Sequence, residues 1–166
     1  ALASEIFAGL GVLVFVGRHD PAPELNLRAL ELAHTPAQTG RAVALLQHSL
    51  TLNPDQEIAH FNLGGLLLVN YPAAAEGHFA AAAHLVPDKG GVYFGLGLAR
   101  LNQGRNDSAA RAFALECLND PLFLTSPWWR QPAIAALRPA TDRVALQLIG
   151  RVSSRLDAGS FAAGEA

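Results

Sequence analysis

Three prolines set the frame of this chain. Pro87 follows Pro54 by 33 residues, and Pro121 follows Pro87 by 34. A recurrence of that length signals a stacked repeat, in which each unit is one supersecondary element that cannot bury its apolar face alone. Between Pro87 and Pro121, two apolar helical patterns flank a polar turn at Asn102-Gln103-Gly104. Each unit is therefore expected to be a helix, a turn and a second helix. Residue usage agrees, because alanine and leucine dominate and runs of β-branched residues are few. That balance favours packed helices over sheet. The expected fold is all-α: an α-solenoid of about three helix pairs, with a divergent C-terminal helix pair and an apolar N-terminal segment. At 166 residues, one domain with a sizeable core is the default.

The chain divides into an apolar segment over residues 1–20, a helical domain over 21–157 and a small, polar tail over 158–166. Pro21 and Pro23 break any helix continuing from the first segment. Leu25, Leu27, Leu30 and Leu32 predict a helix over 24–34. Thr35-Pro36-Ala37-Gln38 reads as a helix start, with Thr as N-cap, Pro at the first helical position and Gln reaching back. The helix behind it carries Ala42, Leu45, Leu46 and Leu50 and runs to about Leu52. Asn53-Pro54-Asp55-Gln56 repeats the signal before a helix reaching Val69; Asn70-Tyr71-Pro72 turns the chain into an alanine-rich helix ending at Leu85. After Pro121 the pattern loosens. Ser126-Pro127 is expected to open a helix holding Trp128 and Trp129, Arg138-Pro139 to stop it, and Thr141-Asp142 to start a last helix. The tryptophans would seal the end of the array.

Residue by residue, the pattern resembles the tetratricopeptide repeat (TPR). In the third repeat, Tyr93, Leu96, Gly97, Ala109, Phe113 and Pro121 fall on the family's marked positions, with Arg100 and Glu116 departing from it. In the second, His60, Leu63, Gly64, Leu67, Ala75, Phe79, Ala82 and Pro87 do so once one residue is removed at Tyr71-Pro72. In the first, only the second helix matches, through Ala42, Leu46, Ser49 and Pro54. The physics agrees: Gly64 and Gly97 let helices approach closely, and Phe79 and Phe113 fill the gap between repeats.

The resemblance implies a partner-binding concave face, built mainly by the first helix of each pair. Ile58, Phe61, Gly65 and Leu68 would face it in the second repeat, and Gly91, Phe94, Leu98 and Leu101 in the third. The Lys/Asn carboxylate clamp of chaperone-binding members is absent there, which disfavours a co-chaperone role. The strip is almost wholly apolar, and an open apolar strip marks a contact site. Ile58, Phe61, Leu68, Phe94, Leu98 and Leu101 are thus the expected partner-binding residues, the partner being a protein.

A candidate occupant lies in the same chain. Ile6, Phe7, Leu10, Val12, Leu13, Val14, Phe15 and Val16 belong to an eleven-residue run without charge, ended by Arg18, His19 and Asp20. It falls short of the roughly 20 apolar residues that span a bilayer, although it could be the tail of a longer span. With Glu5 at its head it resembles the mature N-terminus of type IV pilin-like subunits, from which it departs in its short length and in Arg18 and Asp20. Three placements are open: the chain's own groove, a membrane, or the groove of a neighbouring copy. The last is a heterologous contact, and an unclosed one builds a filament.

Nothing in the sequence names a reaction, and no cofactor or metal is expected. A net charge of −2 offers no basic field to nucleic acid. The single Cys117 excludes an internal disulfide and reads as a small core residue. His19, His34, His48, His60, His78 and His84 form no HExxH and have no accompanying carboxylate or cysteine cluster. Gly95-Leu96-Gly97 lies inside a helical pattern with no strand before it, so it is not a dinucleotide loop. Asn106-Asp107-Ser108 is formally a glycosylation sequon and more simply an N-cap cluster. The expected function is non-enzymatic: a protein-interaction or assembly module, bacterial and extracytoplasmic or membrane-associated, self-assembling through residues 6–16. Two alternatives are the soluble tail of a membrane-bound envelope-polysaccharide ligase or polymerase, and a monomeric adaptor.

Overall fold

The computed structural model describes residues 20–163, with side chains described to Arg155, and all regular structure there is helical. Residues 6–16 lie outside the described residues. The chain falls into two compact units that part between Asp55 and Gln56.

The first unit holds α1 (Ala22–Ala33), a 3-10 turn (Pro36–Gln38) and α2 (Thr39–Leu52). The helices pack on each other as a hairpin. Their buried residues are small: Ala22, Ala29 and Ala42 with Leu46, while Leu27 and Leu30 stay exposed. Buried Ser49 donates from Oγ to the Ala22 carbonyl, 3.1 Å away, and so ties α2 to the start of α1. The helix-start signals need correction. Thr35 makes no side-chain cap, because Pro36–Gln38 closes as a separate 3-10 turn before α2 begins at Thr39. The acceptor at the start of α1 is Asp20, whose Oδ1 takes the Ala22 N–H at 2.9 Å and whose Oδ2 takes Asn53 Nδ2 at 3.3 Å.

The second unit holds α3 (Glu57–Leu67), α4 (Pro72–Leu85), α5 (Val92–Asn102) and α6 (Asn106–Asn119). Two 3-10 turns (Pro121–Thr125 and Pro127–Arg130), a single helical turn α7 (Pro132–Ala135) and the long α8 (Arg138–Ala163) come next. Helix α3 packs on α4, α4 on α5, α5 on α6, and α6 on α8. The α5–α6 turn rests on Gly104, whose φ of 73° suits a residue without Cβ. Close approach within the pairs rests on glycine too. A Cβ on Gly64 would stand 3.1 Å from the Phe79 ring, and one on Gly97 would overlap the Phe113 ring.

The C-terminal expectation is overturned in extent. Ser126-Pro127 does open a helix holding Trp128 and Trp129, but it is a four-residue 3-10 helix, Pro127–Arg130, because Pro132 restarts the chain before an α-helix can extend. Pro139 does not stop a helix. It sits in the first turn of α8, where its missing N–H has no intrahelical partner to lose. One 26-residue helix therefore replaces the expected pair. Asn106 likewise does not cap α6; Arg105 occupies the cap position and no side-chain cap bond forms. Among the described residues, no helix is long and apolar enough to cross a membrane.

Candidate functional site

The apolar strip expected on α3 and α5 divides into two differently treated halves. On α3, Ile58 is 47% exposed, while Phe61 and Leu68 are half-buried. Phe61 meets Phe79 edge to face with centroids 5.7 Å apart. Lys89 reaches over the Phe61 ring, its Nζ 5.1 Å from the centroid, and lies 3.6 Å from Glu57 Oε1. The Leu68 carbonyl accepts from Asn102 Nδ2 at 3.0 Å.

On α5 the strip is not open. Phe94 is only 6% exposed, and Leu98 and Leu101 pack against the cluster it belongs to. The two 3-10 turns after Pro121 supply the cover. Phe123 and Trp129 stand 4.7 and 5.6 Å from the Phe94 ring, centroid to centroid. Trp129 also meets Phe113 edge to face at 5.6 Å and donates from Nε1 to the Phe123 carbonyl at 2.7 Å. Its polar edge is thus satisfied while its rings are buried. Phe94 is therefore core and not open contact surface, while Leu98 and Leu101 are half-buried at the edge of its cluster. Trp128 is 52% exposed. The proline spacing from Pro121 to Pro132 is the usable signal: such a segment cannot be one continuous α-helix, so its aromatics lie in short 3-10 turns.

Glu116 holds Phe94 in place. Its side chain is fully buried, and its Oε1 and Oε2 accept the N–H groups of Gly91 and Phe94 at 2.7 and 3.0 Å. These are first-turn amides of α5, which no helix can satisfy internally. Gly91, with φ of 83°, precedes α5 without any side-chain cap of its own. A carboxylate from α6 therefore caps α5. Burial pushes the Glu116 carboxyl above its ordinary range, against the downward pull of the Gly91, Phe94 and Tyr93 amides.

Glu76 clamps the other end of α5. It accepts from Arg100 Nε at 2.9 Å, from Gln103 Nε2 at 2.9 Å, and from both terminal nitrogens of Arg105 at 2.7 and 3.0 Å. Partial burial works to raise its pKa, but the bonds from Arg100, Gln103 and Arg105 outweigh it and bring the value to about 2. Helix α4 is thus fastened to α5 and to the turn at Gly104. Cys117 sits half-buried at the edge of the aromatic cluster, and burial pushes its thiol pKa up, which suits packing rather than nucleophilic attack.

No known protein-family model matches the sequence, and no curated protein matches it. The site must accordingly be read from its own chemistry. The described residues contain no group of three or more His, Cys, Asp or Glu that could hold a metal. The arrangement offers apolar contact on α3, with one cation, Lys89, at its edge.

Proposed function

We propose that the chain is a non-enzymatic protein-interaction module whose helix pairs stack in the manner of TPR units. It takes an apolar protein segment on α3, at Ile58, Phe61 and Leu68. The observation that carries this reading is the unequal treatment of the strip. Over α5 the chain's own Phe123 and Trp129 fill the groove, and Ile58 on α3 remains 47% exposed. The aromatic filling of one half indicates the chemistry suited to the other. Support for the repeat reading comes from Gly64 and Gly97 facing Phe79 and Phe113, and from the succession of packed helices α3 to α6. Ile6–Val16 is the matching segment, reaching the groove from the same copy or from a second one; exchange between copies would build an oligomer or filament.

Light scattering and negative-stain imaging of three proteins test this: the full chain, a chain lacking residues 1–17, and the full chain carrying Ile58→Glu and Leu68→Glu. Assemblies that dissociate in both altered proteins support exchange between copies. Monomers throughout, with lower stability in both altered proteins, support a segment folded onto its own groove. If neither change alters mass or stability, the α3 strip is not a contact site and the proposal fails.

A further inference from the structure

The α3–α4 pair brings two histidines together. His60 Nδ1 and His78 Nδ1 lie 3.0 Å apart, with ring centroids at 5.2 Å and planes inclined by 36°. We propose that His60 and His78 form a two-nitrogen site for a divalent transition-metal ion, of the Cu(II) or Ni(II) type.

The distance supports the assignment. Two imidazole nitrogens, each about 2.0–2.1 Å from one ion, stand about 2.9 Å apart when they bind at right angles and about 3.3–3.4 Å apart in a tetrahedron. The observed 3.0 Å is close to the right-angle value, the geometry of tetragonal Cu(II) and Ni(II), and short for tetrahedral zinc. Both rings are half-buried, so solvent and a hydrated ion can reach them. Each is mounted on a packed helix, so the fold has already brought the two ligands together.

In the metal-free pair, one Nδ1 carries the hydrogen that the other accepts. Binding needs both lone pairs, so the donor ring must change tautomer, its hydrogen moving through water from Nδ1 to Nε2. Both imidazoles then remain neutral, and no net proton is released. The ion lies off the N···N line, and each ring turns about its Cβ–Cγ bond, a broad torsion. Among the described residues the site supplies two protein ligands and no cluster of three.

The test is titration of the full chain with Cu(II) and Ni(II), followed by electron paramagnetic resonance for copper and by thermal unfolding for both ions. The wild-type chain should show a tetragonal signal with two imidazole nitrogens at one equivalent, and a metal-dependent rise in Tm. His60→Gln and His78→Gln should each weaken binding by about tenfold or more, because the second ligand of a chelate acts at a millimolar or higher effective concentration. His84→Gln should leave binding unchanged. Equal copper affinity in wild type, His60→Gln and His78→Gln would overturn the site, as would loss of binding in His84→Gln. Should the glutamine variants unfold, the nitrogen count of the wild-type chain decides, and one imidazole or none refutes the proposal.

Discussion

The α3–α4 and α5–α6 pairs begin from the same plan and end differently. Each has a glycine in its first helix beneath a phenylalanine of its second, Gly64 under Phe79 and Gly97 under Phe113. Only the second pair leads into a proline-broken aromatic segment, and Phe123 and Trp129 turn its face into core. The first pair keeps Ile58 exposed and holds Phe61 half-buried against Phe79. Whether the face of such a helix pair is a surface or a core thus depends on the segment C-terminal to it, not on the pair itself.

Removing the cover should produce the largest effect. Trp129→Ala should destabilise the chain by about 3–5 kcal/mol, the usual cost of deleting a buried tryptophan. Trp128→Ala, at the neighbouring exposed position, should stay within about 0.5 kcal/mol. Denaturant unfolding checks both, and equal effects would mean that Trp129 does not close the α5 face. A second comparison separates the two glycines. Gly97→Ala places a methyl group into the Phe113 ring and should cost about 2–3 kcal/mol. Gly64→Ala has 3.1 Å to the Phe79 ring, and about 1 kcal/mol of gained helix propensity offsets the crowding, so it should lie within about 1 kcal/mol of wild type. A Gly64→Ala loss as large as that of Gly97→Ala would show that the two pairs are packed equally tightly.

A third test is a pH dependence at the joint between the pairs. The pKa of Glu76 is about 2 in the folded chain, below its ordinary value of 4.5, so its contribution is fully present above pH 4.5. It is lost as the pH falls from there towards 2. We expect a loss of about 2 kcal/mol over that window, smaller than the full shift implies because Arg105 is half exposed to solvent. Chemical denaturation at stepped pH should show that loss in the wild-type chain and a flatter curve in Glu76→Gln. Identical slopes would remove Glu76 as the fastening of α4 to α5.

The helical class is legible in the sequence because it rests on local signals. Alanine and leucine content, the turn at Gly104 and the spacing of Pro54, Pro87 and Pro121 each act within a few residues. Aromatic periodicity marks Phe79 and Phe113 as buried, and both are. The features that the sequence conceals depend on register between helices. The meeting of His60 with His78, 18 positions away, has no periodic signature, nor has the reach of Glu116 back to Gly91 across 25 positions. The cover over Phe94 is hidden for a different reason. Trp128 and Trp129 suggest the start of a helix after Ser126-Pro127, but three prolines in that segment forbid a continuous one.

The carboxylate of Glu116 has a consequence for how this part of the chain comes together. The first turn of α5 finds its acceptor only in α6, so α5 cannot complete its own beginning in isolation. The two should therefore gain and lose their amide protection together in hydrogen exchange, as one cooperative block.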